Sequence, residues 1–209
     1  MITLKNINVQ FKKKKVLDNL TVSFEDGKKY AIMGESGSGK TTILNVIAGL
    51  TKLQSGTLNT EGCKISYVFQ EPRLYDWMNV TKNVSIVSPL PPKEADEAAE
   101  KILTSLGLKD SLKLFPSELS GGMKQRVSIA RALAYDPDVL LLDEPFKALD
   151  EEMKKKTAEY LFSVMDKKTV IVVTHDQADT IYTDFTANVV STPISFLDMV
   201  KSDKLFLNK

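Results

Sequence analysis

Apolar and polar residues alternate over Ile2–Phe11 (Ile2, Leu4, then Ile7, Val9, Phe11), the period-two pattern of a half-buried strand. The basic run Lys12 to Lys15 follows and reads as a solvated hairpin turn. Val16-Leu17, Leu20, Val22 and Phe24 predict a second strand, closed by Asp26-Gly27. Tyr30-Ala31-Ile32-Met33 is a third. A helix then runs from near Lys40 to near Gly49. Gly56 and Gly62 punctuate short strands, and Ile65 to Phe69 is another. Residues 71–138 read differently. Pro89-Leu90-Pro91-Pro92 is a rigid break, Lys93 to Leu106 an amphipathic helix rich in Ala, Glu and Lys, and Met123 to Ala134 a second helix. Val139 to Leu142 and Thr169 to Val173 are almost wholly apolar, as parallel strands covered on both faces require. Glu151 to Met165 is a helix between them, making a βαβ unit. The pattern predicts a parallel α/β core with a helical insertion and no internal repeat.

The 209 residues suffice for one substantial core or a core with a subdomain. A formal net charge of +1 gives no support for nucleic-acid binding. The single cysteine, Cys63, excludes an internal disulfide and fits a reducing compartment. The start of the chain lacks the apolar core of a secretion signal, and no apolar run approaches the roughly 18 residues that span a bilayer. Work at a membrane would need partners.

Candidate chemistry centres on Gly34-Glu35-Ser36-Gly37-Ser38-Gly39-Lys40-Thr41-Thr42, directly after the third strand. It fits Gly, four residues, Gly-Lys-Ser/Thr, the phosphate-cradling loop of nucleotide triphosphatases. The glycines let successive N–H groups turn inward. The following helix aims its positive end at the same anion. Lys40 is expected at the terminal phosphates and the Thr41 hydroxyl on Mg²⁺. A second anion-facing end is Ser120-Gly121-Gly122, ahead of a helix; read alone it is a plain Ser cap. Leu140 to Leu142 end on Asp143-Glu144, at the strand end where open parallel sheets bind ligands. Asp143 is a candidate Mg²⁺ ligand and Glu144 a candidate to polarise water. His175, the one histidine, closes the strand ending in Thr174. Gln70 ends the strand Ile65 to Phe69 and alone reads as a solvated amide.

These residues carry a resemblance. Over essentially its whole length the chain resembles the ATP-binding subunits of ABC transporters. The loop at 34–41, Gln70, the signature at 119–123, Leu140 to Glu144, Ala148-Leu149-Asp150 and His175 stand in that family's order and approximate spacing. The resemblance implies a single α/β ABC ATPase domain over 1–209: a P-loop NTPase core with mainly parallel sheet, an N-terminal antiparallel β subdomain and a helical subdomain inserted at about 72–136. It implies ATP and Mg²⁺ as cofactors, with Thr41, Gln70 and Asp143 around the metal and Glu144, His175 and Gln70 as the catalytic set. Glu35, Ser36, Ser38, Thr42 and Asp150 join the nucleotide site. Phe11 lies where the family has an adenine-stacking aromatic, and it reads equally as a core strand aromatic.

The resemblance further implies a head-to-tail homodimer sandwiching two ATP molecules, each between the phosphate loop of one copy and Ser120–Gly122 of the other. Membrane-spanning permease subunits would be gripped near Gln70 to Asn83, placing the chain in the cytoplasm on the inner face of the cell membrane. The segment from Val68 to Met78 looks like importers of nitrate, sulfonate or thiamine-precursor type, for which an extracytoplasmic substrate-binding protein is a further partner. Other readings are an exporter's energiser and a soluble ABC-type ATPase gating a non-transport partner. A phosphate-loop kinase with a helical lid is disfavoured by Asp143-Glu144 and Ser-Gly-Gly. Lys147 departs from the family's usual small residue. The chain ends soon after an Ala187 to Val190 strand, which predicts no added regulatory domain.

Overall fold

The computed structural model describes residues 1–202. The chain forms two compact units. The first takes Met1–Ile65, Asp138–Glu144 and the chain from Lys167; the second takes Ser66–Pro137 and Pro145–Asp166.

In the first unit, β1 (Ile2–Phe11) pairs antiparallel with β2 (Lys14–Phe24) on one side and β4 (Ser55–Asn59) on the other. The hairpin tip lies at Lys12-Lys13, with Phe11 opposite Lys14. The predicted alternation is carried out: Ile2, Leu4, Ile7 and Val9 are buried, and the polar residues between them are not. Phe11 departs from it, at 51% exposure.

The same unit holds a sheet in the order β6 (Val139–Asp143), β7 (Thr169–Thr174), β3 (Lys29–Gly34), β8 (Phe185–Val189) and β9 (Val200–Lys201). All pairings but the last are parallel. Every residue of β6 and β7 is buried, as their unbroken apolar runs demand. α1 (Lys40–Ile47) follows the glycine loop after β3 and buries Ile43, Leu44, Val46 and Ile47. Tyr30 links the two sheets. Its ring meets Phe24 of β2 edge-on at 5.0 Å and stacks on Phe185 of β8 at 5.3 Å, and its hydroxyl accepts the Glu25 N–H at 2.8 Å.

β5 (Ile65–Val68) leads into the second unit, one residue shorter than expected. There α2 (Val80–Ser85), α3 (Pro92–Ser105) and α4 (Gly121–Ala134) pack on one another, and α4 also meets α5 (Glu151–Val164). Pro92 opens α3, the first-turn position where its missing N–H costs nothing. The helices over 93–106, 123–134 and 151–165 were legible from periodicity; α2 was not.

Candidate functional site

Parallel register gathers the chemistry of the first unit. Met33 of β3 lies opposite Thr174 of β7, and Asp143 of β6 lies opposite Val173. The next residues along the chain, Gly34, His175 and Glu144, therefore emerge at the same carboxyl-terminal edge.

The loop Gly34–Thr42 has the backbone its glycines predict. Gly34 sits at φ 148°, and a Cβ there would lie 2.7 Å from the Val189 carbonyl oxygen. Gly39 caps α1 in the left-handed region at φ 101°, where a Cβ would come within 2.7 Å of Val16 Cγ1 on β2. Lys40 arches back over the loop. Its Nζ donates to the carbonyls of Gly34 and Glu35, both at 2.7 Å, and lies 3.5 Å from Ser38 Oγ. Burial pushes the Lys40 ammonium below the usual lysine range, and the charges of Glu144 and Asp143 offset part of that. Thr192 also donates its hydroxyl to the Ser38 carbonyl at 2.9 Å. A cavity of about 510 Å³ opens between Gly34–Ser38 and Asn188–Thr192. Nothing local in the sequence marks Thr192, because only the tertiary fold brings residues 154 apart together.

Thr41 Oγ1 donates to Asp143 Oδ1 at 3.1 Å, and Asp143 is buried. One hydroxyl and one carboxylate, both hard oxygen donors, suit a Mg²⁺ that fills its remaining positions with phosphate and water. No cluster of three or more His, Cys, Asp or Glu able to cage a metal exists among the described residues.

Glu144 occupies the left-handed region at φ 49°, uncommon for a residue with a side chain, and its N–H still extends the ladder to the Val173 carbonyl at 2.9 Å. Its Oε1 stands 2.8 Å from His175 Nδ1. A charged carboxylate only accepts, so Nδ1 carries the proton in that pair. His175 is half exposed while the Glu144 side chain is 12% exposed. The first unit thus brings together the loop 34–42, Asp143, Glu144 and His175. Phe11 is half exposed at its hairpin end and is not a core aromatic.

The second unit holds Gln70, Ser120–Gly122 and Asp150. Gln70 is exposed after β5. Ser120 caps α4, its hydroxyl accepting the Met123 N–H at 3.3 Å. A Cβ on Gly122 would meet the Ala148 carbonyl oxygen at 2.9 Å, so the signature helix starts directly against the loop that leads to Asp150. Asp150 in turn caps α5, accepting the Met153 N–H at 2.9 Å. Arg126 braces the helix start: its Nη1 donates to the Leu106 carbonyl at 2.8 Å. Burial pushes the Arg126 guanidinium down, and the Asp150 charge opposes this.

The family described as ABC transporter matches residues 17–147. The chain belongs to this family. It is 39% identical over 180 residues to the aliphatic sulfonates import ATP-binding protein SsuB of Bacillus subtilis (strain 168), covering 82% of this chain and 71% of that protein. It is 42% identical over 177 residues to the aliphatic sulfonates import ATP-binding protein SsuB 2 of Pseudomonas syringae pv. syringae (strain B728a), covering 84% of this chain and 64% of that protein. The chain therefore spans roughly two thirds of the length of these relatives. A dimeric structure of the ATP-binding cassette MJ0796 in a post-hydrolysis state, bound to ADP and Pi, superposes with a TM-score of 0.85 at 29% identity, covering 96% of this chain and 98% of that one. The architecture above is accordingly that of an ABC cassette, of the ATP-binding, ATPase class.

Lys40 is folded over the loop, with its ammonium on the Gly34 and Glu35 carbonyls. Lys40→Ala should weaken binding of labelled ATP at least tenfold, on the scale of one buried charge-assisted contact. Unchanged affinity in that titration would remove the phosphate role.

Proposed function

We propose that the chain hydrolyses Mg²⁺-ATP as a head-to-tail dimer and so energises import of a small solute by separate membrane-spanning subunits. The observation that carries this is the Glu144–His175 pair, set beside a phosphate loop whose Thr41 hydroxyl and Asp143 carboxylate already touch. In this reading the loop 34–42 binds the phosphates, and Lys40 leaves its carbonyl partners for the terminal phosphate oxygens. Thr41 and Asp143 would hold the Mg²⁺, which would neutralise phosphate charge. Glu144 orients and deprotonates the attacking water. His175 fixes the Glu144 carboxylate through Nδ1 and turns Nε2 toward the phosphate side, which keeps water and phosphate in line. Ser120–Gly122 of a second copy closes each site, with Asp150 alongside. Phe11 stacks on adenine.

The dimer is supported by the dimeric cassette that the chain resembles and by two anion-facing segments in one short chain. Import is supported by the names of the relatives. Among the described residues no helix is long and apolar enough to cross a membrane, so import requires a spanning partner. In the second unit a groove of about 540 Å³ is lined by Trp77, Met78, Ile86, Leu90 and Phe115, with Lys82 and Asp96 paired at 2.6 Å beside them. Trp77 is 73% exposed and Ile86 52%. A cytoplasmic helix of the permease, apolar on the face that enters the groove, fits this lining. The chain would then sit on the inner face of the cell membrane. An extracytoplasmic substrate-binding protein would complete the importer.

Glu144→Gln keeps the shape of the side chain and removes its basicity. Steady-state hydrolysis should drop by about 10²- to 10⁴-fold, the usual span of positioned proton transfer, while ATP binding persists and an ATP-bound dimer accumulates on sizing chromatography. A normal turnover rate in this variant would eliminate Glu144 as the base.

Shared sites make two defective chains complementary. Mixing Lys40→Ala with Ser120→Arg leaves one composite site with an intact loop and an intact signature. Light scattering with a non-hydrolysable ATP analogue should find more dimer in the mixture than in either variant alone. Equal monomer content in all three, with wild type dimeric, contradicts the shared site.

Trp77→Ala should leave the ATPase rate of the isolated chain unchanged and weaken its copurification with the permease subunits proposed as its partners. Full retention of that complex would place the docking surface elsewhere.

A further inference from the structure

His175 is held by groups that no step above uses. Thr174, the residue before it, is fully buried at the end of β7. Its hydroxyl donates to Asp179 Oδ2 at 2.6 Å and accepts the backbone N–H of Asp176, the residue after His175, at 3.0 Å. Asp179 is 3% exposed and lies in the short 3-10 helix Gln177–Tyr182. Asp176 starts that helix, with its Oδ1 accepting the Ala178 N–H at 2.9 Å. Both neighbours of His175 are therefore tied to one helix through one hydroxyl.

The direction of these bonds follows from proton count. A hydroxyl has one proton and two lone pairs. A charged carboxylate accepts only, and an O–H bond to it is short, about 2.5–2.7 Å, as found here. Asp179 Oδ2 thus accepts the Thr174 O–H, and a lone pair of the Thr174 hydroxyl faces the Asp176 N–H. That N–H belongs to the peptide formed with the His175 carbonyl, so its orientation sets the backbone that aims the imidazole.

We propose that Asp179 and Thr174 are positioning residues, which act through the His175 backbone to hold Nδ1 against Glu144. This rests on the role of His175 proposed above. Misplacement of a catalytic group by about 1 Å can cost up to 10²-fold. Loss of the Thr174 hydroxyl should then lower the rate on the order of tenfold without touching the phosphate loop.

The test is a double-mutant cycle on the full chain, with single-turnover hydrolysis of saturating Mg²⁺-ATP and ATP affinity measured separately. Thr174→Val should slow hydrolysis about tenfold and leave ATP affinity unchanged. Thr174→Ser, which keeps the hydroxyl, should restore most of the rate. In a His175→Ala background, Thr174→Val should change the rate by less than about twofold, the scatter of independent sites. If the two losses multiply, Thr174 acts on general structure and the positioning role is overturned, while the role of His175 stands. If His175→Ala alone costs nothing, the role of His175 falls and takes this inference with it. Should Thr174→Val fail to bind ATP, Asp179→Asn enters the same cycle. It keeps an oxygen acceptor without the charge, and a smaller loss that again vanishes in His175→Ala is expected. A loss that persists there overturns the proposal.

Discussion

Parallel pairing of β3, β7 and β6 is the constraint on which the site depends. Parallel neighbours share a direction, so three consecutive carboxyl ends must come out on one edge of the sheet. β6 and β7 fill their interiors with Val, Ile and Leu, β3 fills its own with Tyr30, Ala31, Ile32 and Met33, and each turns to a polar or flexible residue at its carboxyl end. Glycine leaves β3, a carboxylate pair leaves β6, and a histidine leaves β7. A register slip of one residue in β7 would move His175 by a strand step of about 3.3 Å, which exceeds the tolerance of its bond to Glu144. The apolar interior and the chemistry at its rim are therefore one specification.

Charge is handled at that rim by enclosure. Lys40 is buried, yet its ammonium is met by two carbonyl oxygens of the loop it belongs to. Asp143, also buried, is met by the Thr41 hydroxyl. A buried charge without such partners costs several kcal/mol. Both groups keep polar bonds within the chain, at 2.7 Å for Lys40 and 3.1 Å for Asp143. The scaffold thus leaves neither Lys40 nor Asp143 orphaned.

Much of this is legible in the sequence because it is written in local pattern. The unbroken apolar runs of β6 and β7, the Gly-Lys-Thr spacing, and Ser120 ahead of two glycines each depend on neighbours in sequence. What escaped depends on distant partners. α2 has the sequence Val-Thr-Lys-Asn-Val-Ser, poor in helix formers. It is held instead by Asn83, fully buried, whose amide donates to the carbonyls of Tyr75 and Met78 and accepts the Tyr75 N–H. Asp179 was equally silent, since an acidic residue in a loop declares nothing until a hydroxyl is found 2.6 Å away. Phe11 was ambiguous because alternation alone cannot say where a strand leaves the core.

The close approach of Gly122 to the Ala148 carbonyl has an evolutionary side. Any side chain at 122 would collide with backbone, which cannot swing aside as a rotamer does. The first turn of α4 and the Ala148-Leu149 segment can therefore drift only as a matched pair. A relative that carries a larger residue at the first position should be found to have rebuilt the second, and the two stretches behave as one inherited part separated by a helix and a strand.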